Sequence, residues 1–272
     1  MNDVAFNDIL VDELMKLKTA IFKEDNSSSN DDLISKATNI LRLVSFCLKS
    51  NLRKMFLNYR LVEVLNDDWK NISLSSELLN ELWYAIENTY SIETKQYLQG
   101  CIYGAIEIIQ DPCTTLQRCK ISAINLITSM LEQDQTLHPF IISFHLETFV
   151  YSLIYQFIGN SFLQNSLLKL VLVALQIPGM REEFAQYLIP LLIEETNKSY
   201  RLMVIDFTCQ VINTAIDISK SEKALLAILK SINGFDDFCN TVLKPRNKLL
   251  KSSYGGLLPI FKTKSRGFAT ND

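Results

Sequence analysis

The sequence predicts an all-α fold, and three observations support that prediction. Glycine and proline are scarce, with 8 and 6 residues among 272, whereas folds built from tight turns and phosphate loops need more glycine. Apolar residues recur with helical spacing almost everywhere. The clearest stripe consists of Leu146, Phe149, Val150, Leu153, Ile154, Phe157 and Ile158. Two stretches that lie far apart in the chain also share one pattern, which indicates repeated helical units.

The periodicity places about a dozen helices along the chain. We expect them near residues 3–23, 32–48, 51–58, 60–67, 75–89, 93–110, 114–132, 140–158, 162–177, 180–195, 199–217, 221–233 and 235–243, with a short helical end beyond. The segment Glu24 to Asp32, EDNSSSNDD, is typical of a flexible loop. Gly100 and Gly104 form a GxxxG pattern, for which we expect close helix packing. Because the connections are short, we expect successive helices to pack antiparallel.

Cysteine usage and the chain start predict a cytoplasmic or nuclear location. The six cysteines form no CxxC pair and lie mostly among apolar residues, where a free thiol behaves as a small hydrophobe. The N-terminal residues lack the basic start and apolar core of a signal peptide. The uncharged run from Thr148 to Leu168 has a polar break around its glycine, so we expect no membrane insertion.

A repeat links the first third of the chain to the last. The stretch ILRLVSFCLK, residues 40–49, aligns with LLKLVLVALQ, residues 167–176, at a separation of 127 residues. After one inserted residue, three positions recur 128 residues later: Arg53, Phe56 and Tyr59 correspond to Arg181, Phe184 and Tyr187. This separation is near three units of about 42 residues each. A third, weaker echo is RNKLLKSSYGGLLPIF, residues 246–261.

The order of features within a unit resembles the armadillo repeat: a long helix, a short helix led by an arginine with a phenylalanine three residues on, and an aliphatic helix. The pattern is clearest over residues 32–67, 162–196 and 245–261, whereas 75–110 and 199–233 look like two-helix HEAT-type hairpins. The resemblance implies a right-handed α-solenoid of armadillo/HEAT-like helical repeats. We expect the arginine to reach carbonyls or acids of the adjacent unit and the phenylalanine to fill the interface between layers.

These observations divide the chain into three parts. We expect an N-terminal helix and a flexible Ser/Asn/Asp loop in residues 1–31, and an armadillo/HEAT-like helical repeat domain in residues 32–243. A terminal partial repeat and a basic tail are expected in residues 244–272. The net charge of −3 is uneven, because the last part is basic and the body is acidic.

No motif in the sequence predicts a catalytic, metal or cofactor site. The two histidines, His138 and His145, have no cysteine or acid arrangement with metal spacing. The pairs Asp67-Asp68 and Asp236-Asp237 lack a supporting carboxylate one turn further on and are typical of polar helix ends. Nucleophile elbows and phosphate-binding glycine loops are also missing from the sequence. We therefore expect a protein that is not an enzyme, with a helical enzyme using Asp67 or Asp68 as an alternative.

The predicted function is a scaffold or adaptor that binds a partner protein or peptide in a solenoid groove, as a subunit of a larger complex. In armadillo-like proteins, the last helix of each unit carries the side chains that contact the ligand. Carried over by position, the resemblance implies a contact set made of Arg60, Glu63, Asn66, Trp69, Tyr151 and Tyr155. No small-molecule substrate is expected.

The basic C-terminal segment suggests an alternative function in nucleic-acid association. Its basic residues are Lys244, Arg246, Lys248, Lys251, Lys262, Lys264 and Arg266, opposed by Asp272 alone. Aromatic residues are interleaved with these cations, as in proteins that bind single strands. The segment is equally compatible with a capping unit that ends in a basic tail, and with a localisation signal or an acidic-partner contact.

Overall fold

The computed structural model describes residues 3–23, 30–66, 75–112, 114–198 and 202–251, and all regular secondary structure in these ranges is helical. The first helices are α1 (Asp3–Lys23), α2 (Asn30–Lys49), α3 (Arg53–Phe56), α4 (Tyr59–Asn66), α5 (Ser76–Thr89), α6 (Lys95–Leu98), α7 (Cys101–Gln110) and α8 (Arg118–Gln133). They are followed by α9 (His138–Ile142), α10 (Leu146–Gln156), α11 (Ser161–Ala174), α12 (Met180–Lys198), α13 (Leu202–Ser219), α14 (Lys223–Ser231), α15 (Phe235–Phe238) and α16 (Lys244–Lys251). The all-α prediction is confirmed for the described ranges.

Five of the longer helices form a row in which each helix packs against the next. The order is α2, α5, α8, α11 and α13, and side-chain hydrogen bonds join α16 to α13 at the end of the row. These six helices begin at intervals of 41 to 46 residues. The intervals agree with the unit of about 42 residues that the sequence repeat predicts. The starts of successive helices in the row are therefore separated by a nearly constant number of residues.

The remaining helices pack beside this row and extend one apolar core. Helix α1 packs on α2 and α4, α7 packs on α8, and α12 packs on α10, α13 and α14. The buried apolar side chains form one cluster that runs from Val11 to Leu243, and four free cysteines are buried within it, as expected. Helix α8 is buried on almost all sides and leaves a narrow stripe at least partly exposed near Arg118, Asn125 and Glu132.

The two repeated arginines bridge neighbouring units, as the sequence predicts. Arg53 on α3 donates a hydrogen bond to the main-chain carbonyl of Asn88, at the end of α5. Arg181 on α12 donates to the carbonyl of Leu175 at 2.8 Å and lies 3.6 Å from the Glu222 carboxylate, just before α14. Both side chains thus donate hydrogen bonds to carbonyl groups near helix ends, where carbonyls have no partner within their own helix.

The repeated aromatic residues differ in burial. Phe56 and Phe184 are buried in the core, with 4% and 1% of their surface exposed, and this confirms their predicted place between helices. Tyr59 and Tyr187 remain largely exposed instead. The Tyr59 ring packs edge-on against Tyr97 of α6, with 5.2 Å between the centroids. The arginine and the phenylalanine therefore mark the interior of the repeat, and the tyrosine marks its surface.

Two of the predicted helices are broken. The segment predicted at 140–158 contains a turn at residues 143–145, where His145 adopts a left-handed conformation with φ of 50°. The Ser143 hydroxyl donates to the Phe140 carbonyl at 2.6 Å, which competes with continuation of the helix. The segment predicted at 93–110 is likewise divided into α6 and α7 by a turn at Gln99 and Gly100.

The last described helical stretch runs across residue 243, where the sequence suggested a boundary. Helix α15 passes through a π-helical turn, Cys239–Leu243, directly into α16. Pro245 lies at the second position of α16, and proline removes a helical hydrogen bond and crowds the carbonyl four residues earlier. The wide turn before Pro245 is a known way for a helix to absorb such crowding.

One described helix, α13, has the length and composition to cross a membrane, and 44% of it is buried inside the structure. The segments Gln135–Ile142 and Leu146–Gln156 reach such a length and composition only when taken together, and they are bent by 76° relative to each other. The uncharged run considered in the sequence, Thr148 to Leu168, is divided between α10 and α11. Core helices of soluble proteins share this length and composition.

Candidate functional site

The row of helices presents a charged and aromatic surface across α2, α5 and α8, which we call the ladder face. It consists of Arg42, Phe46, Lys49, Glu77, Glu81, Tyr84 and Arg118. On α2 and again on α5, three of these residues are spaced by four and then three positions, which brings them onto one side of each helix. Because α2 and α8 both pack against α5, the side chains meet across the helix junctions.

Glu81 of α5 connects the three helices. It is buried, with 7% of its surface exposed, and accepts hydrogen bonds from Arg42 Nε at 3.2 Å and Arg118 Nη1 at 3.4 Å. Glu77 accepts a second bond from Arg42 at 2.5 Å, and these carboxylates, Glu77 first, raise the pKa of Arg42. Both arginine side chains remain about half exposed, so they keep donor groups available at the surface.

Tyr84 lies one turn after Glu81 and interacts with two cations. Lys49 Nζ lies 4.3 Å from the ring centroid, and the Arg118 guanidinium lies 3.5 Å from it. Each such cation–π contact is worth about 0.5–1 kcal/mol at an exposed site. The tyrosine therefore holds cations from the two neighbouring helices against α5.

Phe46 is the exposed apolar group of this surface. It lies on α2 between Arg42 and Lys49, and 70% of its surface is accessible to solvent. Leu43 beside it is 39% exposed. The ladder face also carries three cationic side chains and two carboxylates. The ladder face therefore combines an aromatic anchor with a small excess of positive charge, a composition frequent at protein interfaces.

Polar contacts continue along the row beyond the ladder face. Asn125 of α8 donates to Glu87 of α5 at 2.9 Å. Lys169 of α11 forms an ion pair with Glu132 of α8 at 2.9 Å. The amides of Asn213 on α13 and Asn247 on α16 exchange two hydrogen bonds, at 3.0 and 2.8 Å. Side-chain bonds thus join α2 to α5, α5 to α8, α8 to α11 and α13 to α16 along the row.

The residues predicted on α4 lie away from the ladder face. Arg60 forms ion pairs with Asp8, at 3.6 Å, and with Asp12 of α1, so its charge joins α4 to α1. Glu63 is exposed on the same helix. The α4 helix ends at Asn66, and Trp69 lies outside the described residues.

Tyr151 and Tyr155 of α10 contact each other with their rings tilted by 57°. Their ring centroids are 4.7 Å apart, and both rings pack against the apolar core. The Tyr155 hydroxyl is buried and has no hydrogen-bond partner among the described residues, and burial raises the pKa of both phenols. The tyrosine pair lies at the edge of the core. Among the described residues, it does not form one contact set with α4 or with the ladder face.

The described part of the basic segment is largely engaged within the chain. Arg246 forms a bidentate pair with Asp206 of α13, at 2.6 and 2.8 Å, and Lys244 bonds to Asn240 at 2.7 Å. Lys248 is exposed. Lys251 ends α16, and the rest of the basic segment, Lys262, Lys264 and Arg266, lies outside the described residues. Contact with nucleic acid stays a prediction from the sequence.

A separate open cleft of about 710 Å³ lies at the ends of α3, α5 and α8. Its walls include Arg53, Lys54, Tyr90 and the largely exposed Ile92. The Tyr90 hydroxyl is buried without a hydrogen-bond partner in the described ranges, and burial raises the pKa of this phenol to about 12. Arg53 is held by main-chain carbonyls, and Lys54 and Glu93 are the other charged residues of this cleft.

Searches against family models, curated proteins and solved structures returned no match for this chain. The armadillo resemblance implied partner binding on the last helix of each unit, at residues of α4 and at Tyr151 and Tyr155 of α10, and therefore did not indicate the ladder face. The structure instead gathers polar and aromatic side chains on the long helices before and after α4. A signal was available in the sequence: the spacing of Arg42, Phe46 and Lys49 recurs in Glu77, Glu81 and Tyr84.

Proposed function

We propose that this protein is a non-enzymatic interaction scaffold, built as an armadillo/HEAT-like right-handed α-solenoid, that binds a partner protein or peptide on its ladder face. It would act as a subunit of a larger complex. The observation that carries the proposal is Phe46, a 70% exposed aromatic side chain on α2 between Arg42 and Lys49, two cations that Glu81 and Tyr84 of α5 hold in place.

The solenoid part of the proposal is supported by the regular row of helices. Its members begin every 41 to 46 residues, and hydrogen bonds between neighbouring members join residues 34 to 40 positions apart. A single helical pair cannot bury its apolar faces alone, so stacking of successive units supplies the core. The shared role of Arg53 and Arg181 at two unit junctions also supports a repeating construction.

The chemistry of the ladder face indicates which partner would fit. Glu81 and Tyr84 fix Arg42, Lys49 and Arg118 on the ladder face. Preorganised cations lose little conformational entropy when they meet a carboxylate, and Arg118 and Arg42 keep free donor groups. Phe46 offers apolar contact area at the centre. The expected partner is therefore a peptide segment that carries a carboxylate beside an apolar side chain.

Selection from a phage-displayed library of random peptides tests this proposal. We expect the intact chain to enrich peptides with an aspartate or glutamate next to a large apolar residue. Phe46→Asp places a negative charge at the centre of the face and should abolish their binding. Phe162→Asp is the matched control, because Phe162 is 76% exposed on α11, outside the ladder face, and should leave binding unchanged.

Two outcomes would contradict the proposal. If the selection enriches no peptide family, the ladder face lacks the expected recognition chemistry. If enriched peptides bind the Phe46→Asp chain as tightly as the original, the binding surface lies elsewhere. Circular dichroism of both variants checks that a loss of binding does not reflect unfolding.

A further inference from the structure

Three titratable side chains that are distant in the sequence meet beside the turn between α9 and α10. His145 ends this turn, Glu147 lies in the first turn of α10, and Glu183 lies in the first turn of α12. The His145 Nδ1 atom is 3.5 Å from a Glu147 carboxylate oxygen and 3.8 Å from a Glu183 carboxylate oxygen. One ligand atom from each of the three residues lies within 4.8 Å of the other two.

Glu147 is the unusual member of this cluster because its carboxylate is buried. Only 5% of the residue is exposed, and Oε2 has no hydrogen-bond partner among the described residues. Burial, with a further contribution from the nearby Glu183 charge, raises the pKa of Glu147. An ionised carboxylate in such a position is costly unless it is paired or coordinates a metal ion.

We propose that His145, Glu147 and Glu183 form a binding site for a divalent transition-metal ion, with Zn²⁺ as its typical occupant. The imidazole Nδ1 and one oxygen from each carboxylate would be the protein ligands. The exposed side of His145 leaves a further coordination position open to water.

The distances fit such an ion. Zn²⁺ holds nitrogen and oxygen ligands at about 2.0–2.2 Å in a tetrahedral arrangement, which places neighbouring ligand atoms roughly 3.3–3.6 Å apart. The two separations measured from His145 Nδ1, 3.5 and 3.8 Å, are within a small side-chain movement of that range. The ligand oxygens of Glu147 and Glu183 lie within 4.8 Å of each other, so they need to approach by at most about 1.5 Å to coordinate one ion.

The ligand chemistry separates transition metals from other divalent ions. Mg²⁺ and Ca²⁺ prefer sites built entirely from oxygen ligands, whereas imidazole nitrogen suits Zn²⁺ and its neighbours in the first transition row. A divalent cation neutralises both Glu147 and Glu183 and supplies a partner for the buried carboxylate.

Binding would connect two parts of the helical packing. Glu147 belongs to α10 and Glu183 to α12, and these helices pack against each other. An ion held by both helix starts therefore stabilises their contact and also fixes the turn at His145. Because the ion binds the folded chain, saturating Zn²⁺ should raise the melting temperature, by roughly 5 °C or more at one hundred times the dissociation constant.

The test is calorimetric titration of the full chain with Zn²⁺ after removal of metals by a chelator. We expect a single tight site per chain. Glu183→Gln and His145→Asn should each weaken it about tenfold or more, since each removes or replaces one ligand. Asparagine tolerates the left-handed backbone at position 145, and Glu194→Gln, an exposed position on the same α12, is the control that should bind normally.

Titration with Co²⁺ and competition with Mg²⁺ complete the test. The proposal is overturned if the original chain binds no Zn²⁺, or if Glu183→Gln and His145→Asn bind it as tightly as the original. Strong thiolate-to-cobalt absorption would assign the ion to cysteines instead. Displacement of Zn²⁺ by a modest excess of Mg²⁺ would refute the assignment to a transition metal.

Discussion

Replacing the buried arginine at the second repeat junction should strongly destabilise the protein. Arg181 is 6% exposed, and its guanidinium donates to the carbonyl of Leu175 at 2.8 Å and to that of Gln176 at 3.0 Å. Arg181→Met keeps much of the side-chain volume but leaves both carbonyls without this donor. The cost of an orphaned buried polar group is about 1–3 kcal/mol.

The two carbonyls should not contribute equally. Leu175 is fully buried, so its carbonyl would carry the full cost, whereas Gln176 is exposed and its carbonyl can turn to water. Loss of the 3.6 Å pair with Glu222 adds little, since that carboxylate is half exposed. We therefore expect the free energy of unfolding to fall by about 1–3 kcal/mol.

Urea unfolding followed by circular dichroism measures this loss. The midpoint should fall by roughly 1 M with an unchanged slope. Arg60→Met is the matched control, because Arg60 forms exposed ion pairs with Asp8 and Asp12, and it should cost less than about 1 kcal/mol. Equal, small losses in both variants would show that the Leu175 carbonyl finds another donor and that the arginine junction is not a source of stability.

Three further predictions concern the packing of α5, α7 and α8. Gly104→Ala should destabilise the protein by about 1–3 kcal/mol, because the added carbon would lie 3.1 Å from a tryptophan ring; Gly159→Ala, with nothing within 4 Å, should change the melting temperature little. Tyr84→Ala loses two cation–π contacts and should cost about 1–2 kcal/mol in urea unfolding, whereas Tyr84→Phe should cost almost nothing. The buried Asp134 accepts hydrogen bonds from Thr136, which lower its pKa. Its contribution is therefore complete above the ordinary carboxyl pKa and is lost as the pH falls through the lower folded value. Unfolding curves of Asp134→Asn should show a deficit at neutral pH that shrinks in acid; a deficit independent of pH would contradict this assignment.

The helices and the arginine junctions could be predicted from the sequence because they depend on nearby residues. Apolar spacing determines where a helix forms, and the recurrence of Arg53 as Arg181 needs only an alignment of the chain with itself. The turn before α10 escaped prediction, since the apolar stripe that starts at Leu146 continues the pattern from Phe140 without a visible stop. His145 breaks the helix there by its backbone conformation.

The repeated spacing on α2 and α5 is visible in the sequence, but the contacts that form the candidate sites arise only in the packed fold. Glu81 meets Arg118 through the contact of α5 with α8, and His145 meets Glu183 through the position of α12. Neither pair follows a local spacing rule. The armadillo resemblance implied a partner contact at Arg60 on α4, whereas in the structure this side chain forms an ion pair with α1.

The short sequence distance between bonded helices affects how the chain folds during its synthesis. Side-chain bonds along the row join residues 34 to 40 positions apart, so a segment can close its bonds once about one more unit has left the ribosome. At roughly 5–20 residues per second, a new unit emerges every few seconds. Each emerging unit would therefore find a finished surface to dock on, and the N-terminal helices can become compact before the codons for α16 are read.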